Sequence, residues 1–426
     1  MPRALLPLLV ILLCAVAAPP ALAGEPDATA PAYRLDLQGA DGGFAWSGRQ
    51  TLTITNPGAL PLDRVWIRLW GNGPQGCKPQ AVRIANLAGA AAGAPVQDCT
   101  AVELRLTVPL APGARGSVAF DVDIKVPRDI RDRFGRGGRR VALLSNAVPA
   151  LAHLEGGRWR LDRYFAFGEA WTYPAAAWDV KLDAPPGISV AAPGVRGADG
   201  RRRLARGRDY SWAAGALHRL RARVGPTDVT VWGAATARRA SLRRTLAIVR
   251  KRLPRLASLY GPYGWPDLQV IVTGAAAMEH TGLIMTPPVD FVVTHELAHE
   301  WWYALISNDQ AQAPWLDESF ATFAEETAGD QPAVCRRPEP GAGLVTRTTA
   351  FFLEREFSGY GQVYVGGACL LDVLQRRLGR ARFRAALSAY ALANRNGWST
   401  AAEFRAHMDA ASSVALGDLW RRYRVR

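Results

Sequence analysis

Residues 291–323 carry the strongest pattern in the chain and read FVVTHELAHEWWYALISNDQAQAPWLDESFATF. They contain His295 and His299, four positions apart, with Glu296 next to the first histidine. Positions i and i+4 lie on one face of a helix, so the two imidazoles point at the same spot. Two neutral imidazoles suit Zn²⁺, and the glutamate between them is placed to act as a base on water.

A third metal ligand is expected downstream, because a catalytic zinc site has three protein ligands and one open position. Glu318 is the candidate, nineteen positions after His299, in the segment WLDESFA. The sequence therefore predicts that His295, His299 and Glu318 bind one Zn²⁺. Taken alone, the HExxH pattern also occurs by chance in proteins that bind no metal there.

The two motifs together, HELAHEWW and WLDESFA, resemble those of the aminopeptidase-N-type family of zinc peptidases, in the gluzincin group. In that family this arrangement supplies two histidine ligands and one glutamate ligand. The resemblance implies that Glu296 takes a proton from the attacking water and delivers it to the departing nitrogen. General acid–base catalysis of this kind is worth about 10²–10⁴-fold in rate.

A tyrosine further along the chain fits the need for a group that stabilises the oxyanion of peptide hydrolysis. Tyr364, in QVYVGGA, resembles the family's tyrosine at the start of a Tyr-x-x-Gly helix. The resemblance implies that its phenol donates a hydrogen bond to the developing oxyanion. Tyr360 is the alternative donor, and a tyrosine judged by residue type alone belongs more often to a core.

An aminopeptidase also needs a carboxylate near the metal that binds the α-ammonium group of the substrate. The segment AMEHTGL, residues 277–283, resembles the family's Gly-x-Met-Glu-Asn signature, in which the glutamate binds this amine. The resemblance implies substrate binding by Glu279, with Met278 and His280 beside it. Two features depart from the family: His280 replaces the asparagine, and only sixteen positions separate Glu279 from His295. A glutamate at the end of a strand is the alternative interpretation.

Residues 1–23 have the features of an export signal. Arg3 gives a short basic start, residues 4–18 are apolar and broken only by Pro7, and ALA at residues 21–23 forms a small-x-small cleavage site. The apolar run has about 15 residues, fewer than the ~20 that span a bilayer. We therefore expect a cleaved signal and a periplasmic or secreted protein. An uncleaved membrane anchor is the alternative.

Export would allow the cysteines to form disulfide bonds, because these persist in oxidising compartments. Cys77 and Cys99 both lie in Gly/Pro/Ala-rich connections of the first half, and we expect them to form a disulfide. Cys369 lies in the apolar run ACLL and is expected to be a buried free thiol. None of the cysteines has the spacing of a metal site.

The chain is strongly basic, with 52 Lys and Arg against 37 Asp and Glu and a net charge of +15. Arginine-rich segments such as 201–203 and 238–255 would also suit nucleic acid. We expect no nucleic-acid partner, because the chain is predicted to be exported and has no recognisable nucleic-acid module. A solvated surface accounts for the charge, and weak association with anionic membrane or cell-wall surfaces is compatible with it.

Residues 24–233 are predicted to form an all-β domain, either a sandwich or a curved sheet. Short apolar runs recur between Gly, Pro, Asn and Asp residues, as in such folds. Strict alternation, the period-2 pattern of a half-buried strand, is clearest in two groups: Val118, Phe120, Val122, Ile124 and Val126, and Val102, Leu104, Leu106 and Val108. The segment RWRLDRYFAFGEAWTYPAAAWDV, around Gly168 and Glu169, resembles the N-terminal β-domain of the same family, although more diffusely than the zinc motif.

Residues 234–426 are predicted to form a mainly helical, thermolysin-like domain that contains the zinc motif, so the fold class is α+β. The domain opens with a helix over 235–253, which Pro254 should end or kink. A strand follows over 268–272, then the metal helix, and then a helix from Asp317 with Glu318 in its first turn. Further helices are predicted at 346–357, 362–378, 381–394, 400–411 and 416–423.

The sequence and the resemblance together indicate an exported, zinc-dependent aminopeptidase that acts on peptides with a free N-terminus. A zinc endopeptidase, or another hydrolase on the same scaffold, is the first alternative. The second is a catalytically inactive, peptide-binding member of the family, and the presence of both Glu296 and Tyr364 argues against it. Many relatives carry a further helical domain, which this sequence does not show, and substrate-length selection is left undecided.

Overall fold

The structure is a computed structural model of the 426-residue chain. It describes residues 30–128, 133–137, 140–274, 276–331, 335 and 341–426. The predicted export signal lies outside these residues. In the described part, a β-rich first half is followed by a mainly helical second half.

Most strands lie before residue 235, and three more lie between residues 267 and 286. They are β1 (Ala32–Ala40), β2 (Ala45–Thr55), β3 (Leu62–Arg68), β4 (Val82–Ala88), β5 (Ala90–Ala92), β6 (Ala101–Leu110), β7 (Arg115–Lys125), β8 (Phe134–Arg136), β9 (Val141–Leu144), β10 (Ala150–Leu151), β11 (Leu154–Glu155), β12 (Arg158–Trp159), β13 (Ala176–Asp183), β14 (Ser189–Ala191), β15 (Val195–Arg196), β16 (Arg202–Gly207), β17 (Trp212–Gly215), β18 (Leu217–Val224), β19 (Thr227–Ala234), β20 (Asp267–Val272), β21 (Met278–His280) and β22 (Leu283–Thr286).

Helices dominate the remainder. They are α1 (Arg239–Tyr260), α2 (Asp290–Ala298), α3 (Trp315–Thr327), α4 (Thr349–Leu353), α5 (Gly367–Leu378), α6 (Arg380–Ala393), α7 (Ala401–Ala411) and α8 (Gly417–Tyr423), with a π-helical segment (Gln362–Gly366) that runs directly into α5.

The first half is layered from several sheets. One has seven strands in the order β15-β16-β13-β1-β2-β7-β4, and two others have four strands each, β10-β3-β6-β5 and β14-β17-β9-β8. Trp46 of β2 packs edge-on against Trp212 of β17, with ring centroids 5.6 Å apart. The seven-stranded sheet and the sheet that contains β17 therefore share a core.

The predicted alternation is present in β7 but only in part of β6. Val118, Phe120, Val122 and Ile124 are each at most 2% exposed. In β6 the side chains of Val102 and Leu104 are buried, whereas Val108 is 72% exposed, so the expectation for the end of this strand is wrong. Alternation places side chains on one face of a sheet, but it does not ensure that another layer covers that face.

A five-stranded mixed sheet in the order β18-β19-β20-β22-β21 leads into the helical part. Strand β19 pairs in parallel with β20 along 228–233, and α1 forms the connection between them. This pairing runs across the predicted domain boundary after residue 233. Periodicity identifies a strand, but it does not tell which sheet the strand joins.

Helix α1 continues past Pro254, so the prediction that this residue ends the helix is wrong. The helix reaches Tyr260 and closes with a hydrogen bond from the Gly261 amide to the Ala257 carbonyl at 3.0 Å. Proline removes one helical hydrogen bond. Burial of Leu256 and Tyr260 in the core, with exposures of 0% and 3%, offsets that loss.

Arg252 of α1 fixes the start of the metal helix. Its side chain is fully buried and forms ion pairs with Asp290 at 2.8 Å and Asp330 at 2.7 Å. Asp290 is the first residue of α2, and Asp330 follows the end of α3. One guanidinium group therefore ties together α1, α2 and α3, and the last two position the predicted metal ligands.

The described residues form two disulfide bonds. The Cys77–Cys99 bond is confirmed, with Cα atoms 5.1 Å apart. The expectation of a free thiol at Cys369 is wrong, because this residue is bonded to Cys335 across a Cα–Cα distance of 4.8 Å. An apolar run indicates burial correctly, since Cys369 is 0% exposed, but burial does not exclude a disulfide.

The helices after α3 follow the predictions closely, apart from α4, which is shorter than predicted. Its first turn is capped by Thr348, whose hydroxyl accepts a hydrogen bond from the Phe351 amide at 3.1 Å. It ends early because Glu356 and Phe357 have left-handed backbone angles, with φ of 51° and 60°. Within the described residues, no helix combines the length and apolar character needed to cross a membrane.

Candidate metal centre and active site

The two histidines of the HExxH pattern come together at the end of α2. His295 lies in the last turn of this helix, and His299 directly follows it with helical backbone angles (φ −64°, ψ −16°). The His299 amide bonds to the His295 carbonyl at 3.3 Å, so the helical turn continues through both residues. Their ring centroids are 4.8 Å apart and their Nε2 atoms 3.1 Å apart.

Glu318 reaches the same point from the first turn of α3, which packs directly against α2. Its Oε2 lies 3.1 Å from Nε2 of His295 and 3.5 Å from Nε2 of His299. The residue is 4% exposed. The structure thus brings the three predicted ligands together, and we call these three residues the metal cluster.

The outer nitrogen of each imidazole is held by a hydrogen bond. Nδ1 of His295 lies 2.8 Å from Oε1 of Glu325, and Nδ1 of His299 lies 3.0 Å from the carbonyl oxygen of Trp302. Both partners are acceptors, so each Nδ1 carries a hydrogen. In the neutral imidazoles each Nε2 then presents a lone pair to the metal cluster, an arrangement that is usual for histidines that bind metals.

The spacing of the metal cluster fits a zinc ion. Donor atoms at the bond lengths of tetrahedral zinc, ~2.0–2.1 Å, lie roughly 3.3 Å from one another. The three facing atoms of His295, His299 and Glu318 are separated by 3.1, 3.1 and 3.5 Å. Two lone pairs and a carboxylate oxygen this close together repel one another unless a cation, a proton or a metal ion, lies between them.

The surrounding charges favour positive charge at this point. Burial disfavours a charged imidazole, yet hydrogen bonds with Glu318 and Glu325 raise the pKa of His295 to about 10. Burial alone would raise the pKa of Glu318, but hydrogen bonds with the two histidines hold that pKa far below its usual range. A set of ligands that attracts protons this strongly also attracts a metal cation, which displaces those protons when it binds.

Glu296 lies beside the metal cluster with an available carboxylate oxygen. The residue is 5% exposed, and its Oε2 has no hydrogen-bond partner in the part of the chain that the structure describes. Its carboxylate, a nitrogen of His299 and the carboxylate of Glu279 lie within 4.8 Å of one another. Burial raises the pKa of Glu296, which makes it a stronger base than an exposed glutamate.

Tyr364 lies in the π-helical segment, a rare conformation that is frequent at functional sites. Its hydroxyl donates a hydrogen bond to Oε1 of Glu318 at 2.9 Å, and its ring lies 6.0 Å from the ring of His295. The alternative, Tyr360, places its hydroxyl against Gly168 instead of a residue of the metal cluster. Gly168 has a φ of +76°, and a Cβ at this position would collide with the Tyr360 hydroxyl.

Glu279 of β21 lies beside the metal cluster, with its carboxylate within 4.8 Å of a nitrogen of His299. It is 4% exposed, and its Oε1 accepts a hydrogen bond from the Gln310 amide at 3.4 Å. The same amide donates to Asp317 at 2.7 Å, and Asp317 in turn accepts from the backbone amide of Glu318 at 2.9 Å. Among the described residues, no cationic Lys or Arg side chain lies within ion-pair distance of Glu279. Burial is the main cause that raises the pKa of Glu279 well above its usual value.

Two residues of the first half complete this group, and the sequence predictions did not include them. Glu169 is 3% exposed and forms an ion pair with Arg133 at 2.6 Å. After the larger effect of burial, Glu169 contributes to the raised pKa of Glu279, so the two carboxylates lie near each other. The available signal was the segment around Gly168, whose resemblance to the family is diffuse. We call Glu279, Glu169, Arg133, Gln310 and Asp317 the Glu279 cluster.

Met278 and His280 do not join Glu279 at the metal cluster. Successive side chains of a strand point to opposite faces, so the residues on either side of Glu279 face away from it. Met278 packs in a separate apolar cluster with Val141 and other residues. The His280 ring is 2% exposed and has Asp209, not Glu279, as its carboxylate partner.

Comparison with solved structures finds the same architecture. The chain is similar to an M1 zinc metallopeptidase from Deinococcus radiodurans, with a TM-score of 0.63 and 19% sequence identity over 93% of this chain and 94% of that one. It is also similar to a mutant M1 zinc metallopeptidase from Deinococcus radiodurans bound to a Tyr-Ser-Ala substrate, with a TM-score of 0.61 and 20% identity over the same shares of the two chains. A two-domain M1 zinc metallopeptidase mutant bound to L-arginine gives a TM-score of 0.62 and 20% identity, again over 93% and 94%.

Sequence comparison finds similarity over a much smaller part of the chain. A segment of the chain is 33% identical over 98 residues to Tricorn protease-interacting factor F2 from Thermoplasma acidophilum, covering 18% of this chain and 12% of that protein. No protein-family profile matches the chain. The structural likeness extends over nearly the whole chain, so the fold is that of the two-domain M1 zinc metallopeptidases.

Proposed function

We propose that this chain is a zinc-dependent aminopeptidase of the M1 type, with a thermolysin-like catalytic domain over residues 234–426. One observation carries the proposal. Glu279 is buried, has no Lys or Arg partner among the described residues, and lies within 4.8 Å of ligand atoms of Glu296 and His299. A buried carboxylate without a Lys or Arg partner at ion-pair distance is costly, and the α-ammonium group of a peptide is a cation that can pair with it directly.

His295, His299 and Glu318 are the proposed ligands of the zinc ion. The support is their mutual spacing of 3.1–3.5 Å and the hydrogen bonds that orient both imidazoles. When bound, zinc lowers the pKa of a water molecule to about 7 and polarises the scissile carbonyl group.

Glu296 is the proposed general base and acid. It takes a proton from the attacking water while the water oxygen forms its bond to the carbonyl carbon. It then delivers this proton to the amine nitrogen as the carbon–nitrogen bond breaks. The unpartnered Oε2 and the raised pKa of this buried carboxylate support both roles.

Tyr364 is the proposed donor to the oxyanion. The support is the position of its hydroxyl, 2.9 Å from Oε1 of Glu318 and thus at the edge of the metal cluster. Tyr360 has its hydroxyl against Gly168 and is the less favoured donor.

Glu279 is the proposed site for the α-ammonium group, with the Glu169–Arg133 ion pair nearby. An internal peptide segment would place a neutral amide there and leave Glu279 unpaired, at a cost of several kcal/mol. The Glu279 cluster therefore accepts the end of a peptide and rejects its middle. The Tyr-Ser-Ala substrate of the similar mutant enzyme is a short peptide, the kind of ligand that this proposal requires.

The experiment that tests the proposal compares three substrates: an aminoacyl amide with a free amine, its N-acetylated form, and an internally quenched peptide with blocked ends. We expect rapid, chelator-sensitive cleavage of the first and slow cleavage of the other two. Equal cleavage of blocked and free substrates would identify a zinc endopeptidase. Peptide binding without cleavage, at full zinc content, would identify an inactive binding protein.

We also propose that the protein is exported. The support is the signal-like pattern of residues 1–23 together with the Cys77–Cys99 and Cys335–Cys369 disulfides. Disulfides persist in oxidising compartments and are rare in the reducing cytosol. N-terminal sequencing of the protein from the culture medium or the cell envelope is expected to find Gly24 as the first residue. Protein that starts at Met1 in a membrane fraction would favour the uncleaved anchor.

A further inference from the structure

A chain of three buried polar side chains lies on the face of β21 opposite Glu279. Nδ1 of His280 contacts Oδ2 of Asp209 at 2.5 Å, and Nε2 of His280 contacts the Ser145 hydroxyl at 2.8 Å. The order Ser–His–Asp and the two contact distances are those of a hydrolase triad. No feature of the sequence signalled this arrangement, since 71 and 64 positions separate the three residues.

The Ser145–His280–Asp209 arrangement is not itself a hydrolytic site. Ser145, Asp209 and His280 are 1%, 3% and 2% exposed, so no acyl group can reach the serine. The Ser145 hydroxyl also faces the sulfur of Met285, at 3.7 Å, where a carbonyl group would need space. What the three residues provide is a rigid connection.

Asp209 anchors this connection. Its carboxylate accepts hydrogen bonds from the Thr281 amide at 2.9 Å and from the Ser211 hydroxyl at 3.1 Å. Burial opposes ionisation, but the charge and hydrogen bonds of His280 and Thr281 lower the pKa of Asp209. An ionised Asp209 fixes the tautomer of His280, because Nδ1 must donate to it, and so fixes the plane of the ring.

The location of the connection matters because β21 is a short strand at a sheet edge. It has three residues, lies at the edge of the five-stranded sheet, and pairs only with β22. Ser145 directly follows β9 and Asp209 lies between β16 and β17, so both belong to the first half of the chain. The side chain of His280 therefore joins the unpaired region of β21 to the β-rich half.

We propose that Asp209, His280 and Ser145 are positioning residues, which hold β21 so that Glu279 faces the metal cluster at the height of the substrate amine. The effect on substrate binding rests on the proposed aminopeptidase function. The placement of β21 by these three residues does not. With His280 fixed on one face of the strand, the backbone rotation that would turn Glu279 away from the cluster is blocked. Hydrogen bonds to a charged group are stronger than those between neutral groups, so their loss should be measurable.

The structural part is tested by hydrogen exchange on the zinc-loaded protein, as wild type and as His280→Ala and Ser145→Ala variants. We expect the amides of β21 to exchange about tenfold faster or more in His280→Ala, and less so in Ser145→Ala, with β20 unchanged. The matched control is His218→Ala, a half-buried histidine in β18 at the opposite edge of the same sheet. Unchanged exchange of β21 in both variants would overturn the proposal.

The consequence is tested by kinetics on the same proteins. We expect both variants to keep their zinc and to raise KM for free-amine substrates by about tenfold, with kcat changed much less. Cleavage of N-acetylated substrates should stay as in the wild type, and His218→Ala should match the wild type throughout. Faster exchange of β21 without a rise in KM would overturn the positioning role.

The two levels of the proposal fail in distinguishable ways. If the wild type itself shows no preference for free amines, the proposed function fails, while the exchange experiment still decides whether the three residues hold β21. If His280→Ala does not fold, Ser145→Ala removes only the contact to Nε2 and leaves the Asp209–His280 pair in place. A wild-type exchange rate and a wild-type KM in a folded Ser145→Ala protein would then exclude a role for the Nε2 contact and contradict the proposal as stated.

Discussion

The metal cluster and the Glu279 cluster lie side by side but are assembled in different ways. The metal cluster comes from residues 295–318, on two helices that follow one another in the chain. The Glu279 cluster combines Arg133 and Glu169 of the first half with an edge strand and the start of α3. Under the proposed function, the chemistry is thus set by local helix geometry, whereas the choice of the peptide end depends on how the two halves of the chain pack.

Removing a ligand of the metal cluster should have the largest effect, because both clusters depend on the bound cation for their function. We expect Glu318→Ala to lose zinc and all hydrolysis, of free and N-acetylated substrates alike. Elemental analysis of the purified protein gives the zinc content, about one ion per chain in the wild type. Glu326→Ala changes a glutamate on the same helix outside the cluster and should keep the metal. Full zinc content in Glu318→Ala, His295→Ala and His299→Ala would refute the ligand assignment.

Removing the base should separate metal binding from catalysis. We expect Glu296→Gln to keep its zinc and to lower kcat by about 10²–10⁴-fold, since an amide cannot take the proton of the attacking water. Steady-state kinetics with a free-amine substrate measure this. The control is Glu354→Gln, at an exposed glutamate, and it should leave kcat unchanged. Wild-type turnover by Glu296→Gln would assign the base elsewhere.

Replacing the oxyanion donor should give a smaller loss. We expect Tyr364→Phe to fold, to bind zinc and to lower kcat by about 10²–10³-fold, as for other single donors to an oxyanion. Tyr360→Phe is the matched control, because its ring lies 5.9 Å from that of Tyr364 but its hydroxyl faces Gly168. The reverse result, a slow Tyr360→Phe and a normal Tyr364→Phe, would transfer the role to Tyr360.

Removing the Cys77–Cys99 disulfide should leave both clusters intact and give the smallest effect on activity. The bond joins positions 22 residues apart, and its loss should lower the free energy of unfolding by about 3 kcal/mol. We expect the double variant Cys77→Ala, Cys99→Ala to unfold at lower denaturant concentration with unchanged kcat/KM while folded. A large loss of kcat/KM in the folded variant would contradict this prediction and show that the Cys77–Cys99 region affects the clusters.

The difference between the clusters also explains which residues sequence reasoning could find. His295, Glu296, His299 and Glu318 are defined by fixed spacing on helices, so their convergence follows from helix geometry. Glu169 carries no such spacing, and its position beside Glu279 depends on the packing of a loop from the first half. A single glutamate in a β-rich segment gives no signal by itself.

The errors of the sequence analysis have the same origin. The helix past Pro254, the exposed Val108 and the Cys335–Cys369 bond all depend on tertiary contacts that override a local pattern. In β21, which was not predicted as a strand, strand geometry sends His280 away from Glu279 and into contact with Asp209. Local pattern therefore predicted most helices, the convergence of the metal cluster and one disulfide bond, but not these tertiary contacts.

The central claim is that Glu279 selects the free end of a peptide, and the most direct test is a ratio of specificities. The measurement is kcat/KM for a free-amine substrate divided by kcat/KM for its N-acetylated form, in the wild type and in Glu279→Gln at equal zinc content. We expect a high ratio in the wild type and a fall of about 10²-fold in Glu279→Gln, because the loss of one charged hydrogen-bonded pair affects only the free amine. A ratio that is near one in the wild type, or that does not change in Glu279→Gln, would contradict the account.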